Sequence, residues 1–128
     1  MSETVYTPGV CNIGAAEVRL RRLVGWAGLV GAVALWGCLI WMGASRPARA
    51  WVGGPALMSA LGFLQARQGF CFNYGLAGVS SFGTVAGDTE TVESPEDRER
   101  DRRTSWRIIG RSLLIAAAAS AAAVLIPL

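Results

Sequence analysis

The chain has 128 residues, 52% of them hydrophobic and 16% charged, and its formal net charge of +3 rests on arginine alone, since the sequence contains no lysine. It also contains no histidine, which removes the commonest general base, haem ligand and zinc-binding nitrogen together and weighs against hydrolase, oxidoreductase and haem chemistry. The hydrophobic residues lie in long blocks divided by one charged block, which is the distribution of membrane spans and not of a soluble core.

The entry segment carries Asn12, placed to cap a helix, and then Glu17, Arg19, Arg21 and Arg22, with Glu17 and Arg21 spaced to pair on one helix face. Leu23 to Gly43 is uncharged and long enough, at ~1.5 Å per residue, to cross a ~30 Å hydrocarbon layer. This is the first expected span. Gly43, Ala44, Ser45, Arg46 and Pro47 form a turn, and a second apolar stretch runs from Ala50 to Ala66, with a short extension through Phe72 at the interface. Residues 1–83 are thus expected as a two-span hairpin with a cytoplasmic lead-in, and 84–94 as a polar cytoplasmic loop. Residues 95–128 form a charged helix that continues into a third span, Ile108 to Leu125, and Pro127 stops it. Ser94, Pro95, Glu96 and Asp97 make its start: a Ser cap, Pro at the first position and an acid three residues after the cap. Glu96 with Arg100, and Glu99 with Arg103, fall at i, i+4. The fold class that follows is all-α, an integral membrane helical hairpin plus a third transmembrane helix.

Arginine placement sets the expected orientation. Arg19, Arg21 and Arg22 precede the first span, Arg67 follows the second, and six arginines lie between Arg98 and Arg111, whereas the loop joining the first two spans holds only Arg46 and Arg49. The positive-inside rule then puts the N-terminus in the cytoplasm and the C-terminus outside. Trp26 and Trp106 fall at the inner interface and Trp41 and Trp51 at the outer one, as an aromatic belt requires. Ala48, Arg49 and Ala50 resemble a signal-peptidase site, and Leu35 to Cys38 a lipobox. The apolar stretch exceeds a signal core of roughly 7 to 15 residues, so the chain is expected uncleaved, with Cys38 as a packing residue.

Small residues mark where helices can touch: Gly25, Gly28 and Ala32 on the first span, Ser59, Gly62 and Ala66 on the second. They serve either packing within one chain or a contact between copies, and three spans bury so little that a homo-oligomer or larger membrane complex is expected. Cys11 and Cys71 are candidate thiols, both at the cytoplasmic surface. Arg21, Arg22, Arg107 and Arg111 are placed as lipid headgroup anchors in the bilayer. The run Glu96 to Arg103 is nearly balanced in sign and suits a solvated helix more than a nucleic-acid arm; no nucleic-acid partner is expected. No ionisable group interrupts the first two spans, and no polar stripe lines any span, so ion-coupled transport is disfavoured. No catalytic residue, metal ligand or cofactor stands out, and the chain is not expected to be an enzyme.

From Asn12 to Phe82 the chain begins NIGAAEVRLRRLVGWAGL and ends LGFLQARQGFCFNYGLAGVSSFG. This stretch resembles the YgaP-like transmembrane domain, a two-helix bacterial module with an Asn-led, arginine-bearing entry and a closing Gly-Phe-Cys-x-x-Tyr-x-x-x-Gly, here Gly69, Phe70, Cys71, Tyr74 and Gly78. Some members are fused to rhodanese domains, so the resemblance implies a link to sulfur or persulfide handling through Cys71. The chain departs from the pattern at Phe72, where members often have Pro, and in its charged loop and third span. Two functions are therefore expected as alternatives: a non-catalytic accessory, assembly or scaffold component of the membrane, and a cytoplasmic-facing thiol or persulfide relay.

Overall fold

The computed structural model describes residues 6–82 and 89–127; the part of the expected polar loop at 84–88 lies outside the described residues. The chain is mostly helical. Helix α1 spans Ala15–Trp41, a 3-10 turn covers Arg46–Val52, α2 spans Gly53–Gln68, α3 Phe72–Ala77 and α4 Pro95–Leu125. Between α3 and α4 a two-residue antiparallel ladder pairs β1, Val79–Ser80, with β2, Glu90–Thr91.

Two helices, α1 and α4, are long and apolar enough to cross a membrane. The stretch expected as the second span forms only the 16-residue α2, about 24 Å long at helical rise, with the 3-10 turn as its lead-in. Its first residues cannot join α2 as regular helix because Pro47 and the Gly53, Gly54, Pro55 sequence break the i to i−4 ladder. At its other end Gly69, at φ 67°, closes α2 in the left-handed region, and Phe70 N donates to Gln65 O at 3.1 Å.

Helices α1 and α2 are antiparallel and touch through backbone. A Cβ built on Gly28 would lie 2.5 Å from Ser59 N and 2.8 Å from Pro55 O, and one on Gly62 would lie 2.6 Å from Arg21 O and also strike Gly25 N. Ser59 Oγ seals the seam by donating to Gly25 O at 2.8 Å. Helix α4 runs parallel to α1. Near its start a Cβ on Gly75 would meet Ser105 Oγ, and near its end Ser120 Oγ donates to Ala50 O at 2.9 Å and Arg49 Nη1 to Ile126 O at 3.0 Å. The packing stripes expected on the first two helices thus meet each other within one chain. Ala32, Val52 and Ala123 close the far end of the bundle.

The seams are built of small side chains and the outside of large ones. Leu23 is 66% exposed and Leu114 73%, and Val30, Val33, Trp41 and Leu125 are also exposed. Only 17% of the apolar window of α1 and 22% of that of α4 is buried, which is unlike a core helix of a soluble protein. Cys38 is exposed on this outer surface and does not pack as expected, because residue 38 falls on the face of α1 away from Gly25, Gly28 and Ala32.

Helix α4 also corrects one expectation. Its charged first half is not a uniformly solvated face: Asp101, Thr104 and Ser105 are buried, as are Ile108 and Ser112, and their i, i+3, i+4, i+7, i+11 spacing is one helical stripe. Of the two expected ion pairs, Glu99 and Arg103 meet at 3.4 Å on the exposed side. The start is capped as expected, Asp97 N donating to Ser94 Oγ at 3.3 Å. Replacing Ser94 with Ala should cost about 1 kcal/mol, read as a lower unfolding midpoint in detergent; an unchanged midpoint would show that the cap contributes nothing.

Candidate functional site

The end of the bundle where α1 begins gathers five segments. Asn12, Ile13 and Gly14 run extended beside the α2–α3 turn: Asn12 N and Ile13 N donate to Gly69 O at 3.0 and 3.3 Å, Gly14 N to Ser81 O at 3.0 Å, and Ser81 N to Asn12 O at 2.9 Å. Asn12 is therefore not the cap of α1, whose cap residue is Gly14 without a side-chain bond. Its fully buried side chain instead brackets Cys71: Nδ2 donates to Cys71 O at 3.2 Å, and Oδ1 accepts from Cys71 N at 2.7 Å. One amide thus satisfies both main-chain polar groups of a residue 59 positions away, which a buried turn requires. Gln65 completes the turn, its Oε1 accepting from Phe72 N at 3.2 Å.

The Cys71 side chain, 3% exposed, faces the first turns of α1. Arg21 Nη2 donates to Cys71 Sγ at 3.0 Å, while Arg21 Nη1 donates to Glu17 Oε1 at 2.7 Å. Tyr74, on the turn of α3 that follows Cys71, donates through its hydroxyl to Glu17 Oε2 at 3.0 Å. The result is a chain of groups, Tyr74 to Glu17 to Arg21 to Cys71, in which a guanidinium with donors and no acceptor meets the sulfur. Glu17 is 2% exposed, and it is tolerable there because Arg21 and Tyr74 both donate to it.

Arg21 is thus drawn into the protein and is not a headgroup anchor: residues 17, 21, 25 and 28 share one face of α1, so Arg21 belongs to the stripe that packs on α2. Arg22, Arg107 and Arg111 are exposed. Cys11 lies near the site without joining it. Its Sγ donates to Ile13 O at 3.5 Å, burial pushes its thiol pKa up, and both it and Cys71 are free thiols. The motif residues Asn12, Gly69, Phe70, Cys71, Tyr74 and Gly78 converge: Phe70 is fully buried against Gly75, Gly69 receives the entry strand, and Gly78, at φ 76°, ends α3 while its carbonyl accepts from Val92 N at 2.8 Å.

A second clamp, on which the sequence reading is silent, stands at this end. Asp101, fully buried, accepts from Tyr6 OH at 2.8 Å and Gly9 N at 2.7 Å, and Thr104 Oγ1 donates to Gly9 O at 2.7 Å. These bonds tie the segment ahead of α1 to the start of α4. The periodic placement of Asp101 with Thr104 and Ser105 was the available signal.

Both tyrosines are held neutral. Burial and then the Glu17 hydrogen bond raise the Tyr74 pKa above its ordinary value of 10.0, and burial followed by Asp101 raises that of Tyr6. A phenol whose folded pKa lies above its unfolded one binds its proton more tightly in the folded state, so its contribution is full below the unfolded value and is lost as pH rises through the folded one. Stability is expected to be flat across neutral pH on this account and to fall above about pH 10. Tyr6→Phe with Tyr74→Phe should blunt that alkaline loss in a denaturation series; an undiminished loss would contradict it.

Compared with known proteins, the chain matches no family model, no curated protein and no solved structure.

Proposed function

We propose that the chain is a small integral membrane protein that acts as a non-catalytic accessory, assembly or scaffold component, inserted in a bacterial-type cytoplasmic membrane with its N-terminus inside and its C-terminus outside. The observation that carries this reading is the inversion of the bundle: glycine, alanine and serine line its seams, while Leu23, Val30, Val33, Trp41, Leu114 and Leu125 face outward. Water does not tolerate so continuous an apolar surface, whereas lipid and neighbouring membrane helices do. Helix α2 with its 3-10 lead-in makes the third crossing, irregular backbone being acceptable at depth where protein covers it, as α1 and α4 do around Val52. Photobleaching of labelled chains in lipid at low density should count two or more copies or a stable foreign subunit. A single copy with no companion would remove the assembly role.

The Arg21 contact favours a second reading, a cytoplasmic-facing thiol or persulfide relay at Cys71, the position that the YgaP-like resemblance also singles out. A cation donating to sulfur at 3.0 Å supplies the partner that an anionic sulfur species needs. In inverted vesicles a charged maleimide should then label Cys71 from the cytoplasmic face. If Cys71 resists labelling from the cytoplasmic side while unfolded chain is labelled, the relay is excluded.

A further inference from the structure

Once Arg21 is turned inward, the entry of α1 carries an unbalanced charge pattern. Glu17 is the one acid on α1, and it accepts from Arg21 and Tyr74. Arg19 and Arg22 are exposed and have no hydrogen-bond or ion-pair partner among the described residues. They stand at i and i+3, so their stems rise side by side, about 5 to 6 Å apart at Cβ. Below them on the same face lie Leu23 and Trp26, and the four residues line a cavity of about 300 Å³. Trp26 is a fixed wall of it: the ring meets Phe63 edge to face, centroids 5.3 Å apart at 85°, and Phe63 in turn lies over Gly25, where a Cβ would be 2.7 Å from the ring. The ridge continues through the exposed Val30 and Val33.

We propose that this face binds one anionic phospholipid, its phosphate held by Arg19 and Arg22 and an acyl chain laid over Leu23, Trp26, Val30 and Val33. The proposal rests on the membrane reading above. Charge complementarity selects the headgroup: two guanidinium forks match phosphate oxygens, and no acid on α1 is left to neutralise them. The apolar ridge selects a lipid over a soluble phosphate, because a free anion would leave Trp26 and the valines uncovered, whereas a diacyl phosphate fills the cavity and the ridge at once. An amphipathic tryptophan at headgroup depth suits this junction.

The test is lipid binding by the full chain in neutral detergent, followed by native mass spectrometry as phosphatidylglycerol or phosphatidylcholine is added. The first phosphatidylglycerol should bind clearly more tightly than phosphatidylcholine. Arg19→Gln with Arg22→Gln should weaken it roughly thirtyfold, taking ~1 kcal/mol for each arginine near the headgroups. Arg67→Gln with Arg102→Gln, which removes the same charge from exposed positions at the same end of the bundle, should leave the affinity unchanged. Equal affinity for the two lipids, equal losses in both double variants, or displacement of the lipid by an equal concentration of glycerol phosphate would overturn the proposal. Failure of the membrane reading itself is distinguishable, because the chain would then stay folded with no detergent or lipid at all.

Discussion

Gly28→Leu should collapse the α1–α2 hairpin within a single chain, at a cost of about 3 kcal/mol or more. Even a Cβ at this position falls 2.5 Å from Ser59 N and 2.8 Å from Pro55 O, and backbone atoms cannot swing aside as a long side chain does. The two helices would have to separate by the width of a methyl group. That separation also breaks the bond from Ser59 Oγ to Gly25 O and shifts the Glu17, Arg21 and Cys71 cluster, which straddles the same seam. Gly62→Leu meets Arg21 O and Gly25 N and should do the same. Gly37, with nothing within 4 Å of a built Cβ, is the matched control: Gly37→Ala should be neutral or stabilising by up to about 1 kcal/mol through helix propensity. Reversible unfolding in mixed micelles reads both effects. If Gly28→Leu reduced oligomer formation while leaving monomer stability intact, the stripe would serve a contact between copies instead.

Arg21→Gln is the second large effect expected. It removes the cation from Glu17, which is 2% exposed, and the donor from Cys71 Sγ. Breaking a buried pair by deleting one partner commonly costs about 3 to 5 kcal/mol, and the retained Tyr74 hydroxyl should hold the loss near 3 kcal/mol. The double variant Glu17→Gln with Arg21→Gln should recover part of that loss, because it leaves no uncompensated carboxylate. A double-mutant cycle measured as unfolding free energy checks this coupling. Strict additivity would mean that Glu17 and Arg21 act independently, in contradiction to their 2.7 Å contact. Cys71→Ser keeps an acceptor for Arg21 and should be much milder.

The features that local chemistry decides were legible in the sequence. Ser94 and Pro95 mark a helix start wherever they precede a periodic run, and α4 begins there. The small residues of α1 and α2 could be read as seams because only small side chains admit backbone contact, although the choice between a partner helix and a partner chain required the structure. Asn12 is illegible for the opposite reason. Its local preference is to cap, but the bonds that win are to Cys71, 59 positions on, and no nearby residue announces them. Arg21 and Asp101 show that charge alone is no sign of solvent. Both lie on the buried stripe of their helices, Arg21 with Gly25 and Gly28, Asp101 with Thr104 and Ser105, so periodicity outranked residue type. Hydropathy starts the second apolar stretch at Ala50 and the structure starts α2 at Gly53, because hydropathy is blind to Pro47 and Pro55, which break the backbone without making it polar.

On the proposed membrane reading, a bundle with small residues inside and large apolar ones outside depends on lipid. Moving purified chain from detergent into lipid nanodiscs or into plain buffer, and following helicity and sedimentation, tests that dependence. The account predicts a monodisperse helical protein in nanodiscs and loss of the folded monomer, by aggregation or unfolding, in buffer. A helical, monodisperse monomer that persists in buffer alone would contradict it.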